Sequence, residues 1–475
     1  MSAPDAVVVG AGPNGLAAAI ELARNGIQVL VLEAASTVGG AARTEERTLP
    51  GFRHDVGSAV YPLGAGSPFF SSLPLEEHGL EWVHPDLPLA HPLDEGRAAF
   101  LGHGLAETGD RLGPDAGPYR RLVEPFCRMW PTFADHVLDA PTRLPRDPAL
   151  MARFGMRALR STTSLARPFR TAEGRALLAG NAAHSGLPLE RPLSGAVGIT
   201  LMAAGHAVGW PFPRGGAGRL TDALASLLRS VGGSIETGRA VRSLTELPPT
   251  RATLLALTHR QVSEIAGDQL PPTYRTFLRE WEYGPGAFKV DWALDGPIPW
   301  TNPEVARAGT VHLGGALEEI AIAERAPWEG RVADRPFVLL AQPTLFDPTR
   351  APEGKHVAWG YCHVPNGWEG DATEAIEAQV ERFAPGFRER ILARSALGPG
   401  ELEAWNPNLV GGDVNGGALT LPQTLGPLRH AFRPWSTPVK DLYVCSASRP
   451  PGGGVHGMVG YRAAREALKR TFGVG

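Results

Sequence analysis

The chain has 475 residues, 43% of them hydrophobic, and its 46 basic and 49 acidic side chains leave a formal charge of −3. That length exceeds what one ordinary core fills, roughly 250–300 residues, so two domains are expected; the balanced charge lacks the electrostatic footprint of a nucleic-acid-binding protein. Cys127, Cys362 and Cys445 lie far apart with no C-x-x-C pair, which excludes a disulfide framework, a dithiol relay and a cysteine-based metal site, so no metal is expected.

The first residues, Met1 to Asp5, lack the basic region of a secretory signal, and a cytoplasmic location is expected. Ala6-Val7-Val8-Val9 is a short β-branched run of the kind that fills a buried parallel strand. Gly10-Ala11-Gly12-Pro13-Asn14-Gly15 follows at once. Leu16, Ala19, Ile20 and Ala23 then recur at helical spacing, Gly26 ends the helix, residues 28–32 read as a second buried strand, and Glu33 closes it. Each position in this βαβ unit has a use: the glycines permit a tight turn and close approach of a pyrophosphate to a helix N-terminus, and Glu33 can accept the hydroxyls of an adenosine ribose.

Glycine spacing alone is weak evidence in a chain with 58 glycines. Gly452, Gly454 and Gly457 fit the same G-x-G-x-x-G pattern, yet the chain ends 18 residues later without a second strand or a closing acid. Only the first match has the full strand–turn–helix–strand–acid context. Val38-Gly39-Gly40-Ala41-Ala42-Arg43 comes next; its glycine pair lets backbone pass close to a cofactor, and Arg43 offers a planar donor fork. This run resembles the glycine-doublet signature of two-dinucleotide-fold flavoproteins, which implies FAD.

Further along, residues 151–170 carry Arg153, Arg157, Arg160, Arg167 and Arg170 and no acid, with Met151, Phe154, Ala158 and Leu159 forming an apolar face; a solvated helix and a peripheral membrane-docking helix are the two readings. Residues 192–213 have no formal charge, but repeated glycines argue for a buried segment beside a ligand over a membrane span. Residues 213–220 lead into an amphipathic helix ending near Gly233, then a strand over 234–237 and Gly238-Arg239-Ala240-Val241. A strand over 288–294 alternates, with Lys289, Asp291 and Ala293 on one face and Phe288, Val290, Trp292 and Leu294 on the other. Leu442-Tyr443-Val444-Cys445 is another buried strand; it runs into 446–458 and a helix over about 459–469, so three consecutive glycines approach a helix N-terminus.

Taken together, residues 10–43, 213–241, 288–300, 406–417 and 442–460 resemble the phytoene-desaturase-related oxidoreductases of the flavin-containing amine oxidase superfamily, most specifically at Pro451-Gly452-Gly453-Gly454-Val455-His456-Gly457. The resemblance implies an α/β fold in which an FAD-binding Rossmann-like domain (1–75, 205–265 and 430–475) is interleaved with an α+β substrate domain (76–204 and 266–429). It implies noncovalent FAD held at Gly10, Gly12, Pro13, Asn14, Gly15, Glu33, Ala34, Gly39, Gly40, Ala41, Arg43, Gly57, Ser58, Val241, Gly453, Gly454, Val455, His456 and Met458. The strand at 288–294 and the triple glycine depart from the carotenoid desaturases, which argues against phytoene itself as substrate.

Candidate reacting groups are Lys289, which in the amine oxidase branch would hold a water against the flavin, His206 in the uncharged segment and His456 in the glycine loop. Lys289 can equally be a solvent-facing partner of Asp291, and His206 a hydrogen-bonded core histidine. The expected reaction is dehydrogenation of an apolar small or medium metabolite by hydride transfer to flavin N5, with oxygen or a quinone as oxidant. The competing readings are an amine oxidase releasing peroxide, a redox-neutral flavin-dependent isomerase and a non-catalytic flavin-binding protein.

Overall fold

The computed structural model describes residues 3–425 and 432–474. Its first layer is a five-stranded parallel sheet in the order Leu442–Val444, Ala252–Leu255, Ala6–Val9, Val29–Leu32, Ser234–Glu236. The β-branched run expected for the first strand is fully buried, as a central parallel strand must be. Helix Pro13–Arg24 starts with proline at its first position, where the missing N–H is no loss, and the chain leaves it through Gly26 at φ +79°. Strands of this sheet come from three separated stretches of chain.

The intervening stretches build a seven-stranded mixed sheet in the order Ile391–Leu397, Gly286–Leu294, His356–Val364, Val338–Ala341, Ala308–Leu313, Leu87–Pro92, Ala98–Leu101. Alternation along Gly286–Leu294 runs as the sequence requires: Phe288, Val290, Trp292 and Leu294 enter the core against Ile376, Val380 and Phe383 of helix Thr373–Phe383. Lys289 and Asp291 point to the opposite, inner face, and they are buried, not solvent-facing.

The uncharged stretch at 192–213 forms helix Ser194–Val208. Its glycines serve contact with helix Ala172–Ala183: a Cβ on Gly198 would lie 3.0 Å from the Ala182 nitrogen. The helix runs unbroken across the boundary expected at 204/205 and packs chiefly against helices Ala172–Ala183 and Ala116–Arg128. The domain boundary expected at 429/430 lies outside the described residues. The basic stretch 151–170 is not one helix; Pro148–Ala158 and Thr162–Leu165 are separate, the second capped by Ser161. Phe154 turns inward against Phe126 and Phe133, while Met156 and Leu159 remain exposed. Among the described residues no helix is long and apolar enough to cross a membrane.

Candidate functional site

Two motifs 28 residues apart in sequence meet in space. Gly40, at φ +55°, lies so close to the first glycine loop that a Cβ there would fall 2.9 Å from the Gly12 Cα. Within the loop itself a Cβ on Gly15 would fall 1.9 Å from the Gly10 carbonyl oxygen, so only glycine closes the turn. Helix Pro13–Arg24 begins at Gly12 with no side-chain cap and no acid in its first turn, leaving its N–H groups for an outside anion. The Asn14 Oδ1 beside them is buried without a partner among the described residues.

Glu33 stands at the other end of this cradle. Its carboxylate accepts from the Ala11 N–H at 2.6 Å and the Ala35 N–H at 2.9 Å, just past Ala34, and the Arg239 N–H donates to the Glu33 carbonyl, which brings the stretch containing Val241 alongside. Arg43 donates to the Gly40 and Trp405 carbonyls at 3.1 Å each and lies 4.0 Å over the Trp405 ring. Two arms of its fork thus orient the doublet, and Nη1 has no hydrogen bond among the described residues. Gly57 and Ser58 pack on Ala41: a Gly57 Cβ would lie 2.3 Å from its oxygen, and the Ser58 N–H donates to that oxygen.

The C-terminal glycine loop closes the cradle because helix Met458–Ala467 packs directly on Pro13–Arg24. A Cβ on Gly460 would sit 1.8 Å from the Asn14 carbonyl oxygen, a contact that fixes the two helix N-termini side by side. His456 is fully buried; its Nδ1 accepts from the Met458 N–H at 3.1 Å, so the proton sits on Nε2, which makes no well-formed hydrogen bond among the described residues. Burial lowers this imidazole to about 4. Gly453 is crowded by Asn415, and the Val455 oxygen lies 2.9 Å from where a Gly64 Cβ would be. Asn415 is itself set by the buried Asp413 carboxylate, which accepts from the Asn415 N–H at 2.7 Å and the Gly284 N–H at 2.9 Å.

These residues fit an extended dinucleotide: uncapped helix N–H groups for the pyrophosphate, a carboxylate for the ribose, bare glycine backbone along the path and orphaned polar atoms at Asn14 and His456.

Beyond the cradle lies the inner face of the mixed sheet. Strand register aligns Leu397, Lys289, Tyr361, Leu339 and His312 in one row across it. Lys289 Nζ contacts Asp291 Oδ2 at 2.5 Å, and His54 Nδ1 lies 3.5 Å from Asp291 Oδ1. Burial pulls the Lys289 ammonium down and the Asp291 carboxyl up, with their mutual attraction opposing both. His54 is held at about 3 by burial and by the charges of Lys289, Arg350 and Arg47. Arg350, with no exposed surface, meets Asp55 Oδ2 at 2.8 Å; Asp55 Oδ1 accepts from Thr44 Oγ1 and the Ala217 N–H. The segment 54–58 is therefore tied into a buried charge network between the two sheets and is no surface loop.

His206 sits at the C-terminal end of its helix with both ring nitrogens occupied, Nε2 on the Tyr119 hydroxyl at 2.6 Å and Nδ1 on the His103 carbonyl at 3.3 Å. That arrangement leaves it no free nitrogen for a substrate. Four groups that sequence reasoning did not single out occupy the far end of the inner face. His184 Nε2 meets His312 Nε2 at 2.9 Å, and His363 Nδ1 meets Glu324 Oε2 at 2.8 Å. Strand alternation could have found His363, since Trp359, Tyr361 and His363 share one face of His356–Val364; His184 follows a helix end and carried no pattern.

All three cysteines are free, and burial pushes the Cys127 thiol up to about 12. Residues 8–71 match the model of the NAD(P)-binding Rossmann-like domain family. The chain is similar to pyridine nucleotide-disulfide oxidoreductase domain-containing protein 2 of Rattus norvegicus, 29% identical over 97% of this chain and 92% of the relative. It is also similar to the phytoene dehydrogenase of Streptomyces griseus, 27% identical over 82% of this chain and 77% of the relative. Among solved structures, cyclohexylamine oxidase from Brevibacterium oxydans shares the fold with a TM-score of 0.62 at 18% identity, over 98% of this chain and 99% of that one.

Proposed function

We propose that the chain is a phytoene-desaturase-related flavin oxidoreductase that holds FAD noncovalently and dehydrogenates an apolar small or medium metabolite, with oxygen or a quinone as final oxidant, a reading supported by the Rossmann-like match and by the similarity to the phytoene dehydrogenase. The observation that carries this reading is the contact of Gly40 with Gly12, which merges the two glycine motifs into one extended cradle. A flavin bound there would supply the two-electron acceptor. Gly12, Pro13, Asn14 and Gly15 would face the pyrophosphate, Glu33 the ribose, and the backbone of Gly57, Ser58, Gly453 and Gly454 the ring system. Noncovalent attachment is supported by the nucleophiles at hand: Cys362 and Cys445 are buried with their thiols pushed up, and His456 Nδ1 already accepts from backbone.

The protein's own part is to exclude water and orient substrate between the cradle and the inner face of the mixed sheet. A dithiol relay is disfavoured by three buried or half-buried cysteines that do not pair. The amine oxidase reading keeps Lys289 as its candidate, but that ammonium is engaged by Asp291. The test is anaerobic titration of the purified, flavin-loaded protein with candidate substrates: bleaching of the visible band by a saturated compound and recovery of its unsaturated product supports the reading. Failure of every saturated compound, with bleaching by primary amines and peroxide release in air, would transfer the assignment to the amine oxidases.

A further inference from the structure

A chain of polar groups leads from the inner face of the mixed sheet to the surface. It starts at Lys289, whose Nζ meets Asp291 Oδ2 at 2.5 Å. The second carboxylate oxygen, Oδ1, faces His54 Nδ1 at 3.5 Å, and His54 Nε2 meets Thr48 Oγ1 at 2.8 Å. Lys289, Asp291 and His54 are buried, with 3%, 0% and 1% of their surface exposed, whereas Thr48 is half-buried in the loop of the hairpin formed by Thr44–Glu46 and Arg53–Asp55. The inner end borders open space as well: Tyr361, paired with Lys289 across the sheet and on the same face, is only half-buried.

Each inner member turns two polar faces to different neighbours, which is what handing a proton along requires. The Asp291 carboxylate has one oxygen on Lys289 and the other toward His54. Burial, with the charges of Lys289, Arg350 and Arg47, keeps the His54 ring neutral. One of its nitrogens therefore holds a proton and the other a lone pair, so the ring can take up a proton on one side and release one on the other. The Thr48 hydroxyl both donates and accepts. Arg47 and Arg350 beside the chain cannot lose a proton and give it no side exit. One link stands open: His54 Nδ1 and Asp291 Oδ1 are buried and neither makes a well-formed hydrogen bond among the described residues. A shortening of about 0.7 Å brings that contact to hydrogen-bond length.

We propose that Lys289, Asp291, His54 and Thr48 are a proton relay that carries to solvent the proton set free when substrate is dehydrogenated. This inference rests on the dehydrogenase reading and supplies its exit path. Forming a double bond removes two hydrogens. One leaves with its bonding pair as hydride, for which the flavin is the acceptor; the bonding pair of the other becomes the π bond, and its hydrogen leaves as a proton. That proton enters at Lys289 as Lys289 gives one to Asp291 Oδ2. A turn of the carboxyl group about its Cβ–Cγ bond presents the proton to His54 Nδ1, His54 Nε2 gives one to Thr48 Oγ1, and Thr48 gives one to water. Only N–H and O–H bonds break and form, and every member regains its starting charge.

The relay is tested by nitrogen NMR on the flavin-loaded protein carrying isotope-labelled histidine, in which the His54 ring signals are those missing from His54→Leu. Thr48→Val, which keeps the shape of Thr48 and lies near the surface, should shift the His54 Nε2 signal; Asp291→Asn should shift Nδ1; Thr48→Ser should leave Nε2 as in the native protein. With a saturated compound that bleaches the flavin anaerobically, Thr48→Val and His54→Leu should each slow bleaching roughly tenfold or more, and Thr48→Ser should keep most of the native rate. The proposal is overturned if Thr48→Val and Asp291→Asn leave the His54 signals unmoved, or if Thr48→Val and His54→Leu bleach at the native rate. The two readings fail separately: absence of bleaching by any saturated compound defeats the dehydrogenase assignment, whereas native bleaching rates in these variants remove the relay and leave the assignment standing.

Discussion

Gly40→Ala offers a sharp test of the merged glycine cradle because the molecule contains its own control. Gly40 has φ +55°, and Gly26 has φ +79°; alanine in the left-handed region costs about 1–2 kcal/mol at either place. The surroundings differ. A Cβ on Gly40 meets the Gly12 Cα at 2.9 Å, a backbone atom that cannot swing aside, whereas a Cβ on Gly26 meets nothing within 4 Å. Both variants should lose about 1–2 kcal/mol in urea unfolding, with Gly40→Ala losing the more. Only Gly40→Ala should displace the Gly12 loop, and it should weaken FAD by at least roughly tenfold, about 1.4 kcal/mol. The assay is titration of apoprotein with FAD, followed by quenching of flavin fluorescence. Equal FAD affinity in the two variants would refute the claim that the doublet and the loop form one site.

Arg350→Met should cost about 3–5 kcal/mol, because it leaves the fully buried Asp55 carboxylate unpaired, and the Arg350→Met, Asp55→Asn double variant should recover part of that loss in the same unfolding assay. Lys289→Met should be similarly destabilising through Asp291; a stable Lys289→Met protein would show that the pair is not the buried ion pair described. Stability should fall in acid. Burial holds His54 and His184 at about 3 and His91, His206 and His456 at about 4, against 6.5 when unfolded. Above 6.5 these groups are neutral in both states; below it the unfolded chain takes up protons the native state refuses, each costing up to about 1.4 kcal/mol per pH unit until its native value is reached. His363 runs the other way, its contribution complete below 6.5 and lost as pH rises through its raised value. The urea midpoint should therefore drop steeply between pH 6.5 and 4, and an unchanged midpoint from pH 7.5 to 5 would contradict the buried neutral histidines.

The first 43 residues were the most legible part of the sequence because each step there is local: a buried strand, a turn only glycine can make, an amphipathic helix and a closing acid follow one another in the chain. Alternation likewise oriented Lys289 and Asp291 correctly, but not their burial, since period two tells which face a residue takes and not what covers that face. Residues 192–213 were read as an uncharged buried segment, yet the purpose of Gly198 needed the neighbouring helix Ala172–Ala183. The pairs His184–His312 and His363–Glu324 were beyond reach, because their members come from four separate elements that only the folded chain brings together. Arg43 illustrates the limit for single residues, because the sequence offered its donor fork but not the Gly40 and Trp405 carbonyls and the Trp405 ring that hold it.

The central claim is that residues 10–43, 57–58 and 453–458 form one flavin site, and its most direct test is the visible absorption spectrum of the purified protein together with mass identification of whatever heat releases. A two-banded flavin spectrum and released FAD are the expected result. Protein that is colourless and stays so after incubation with FAD would contradict the account.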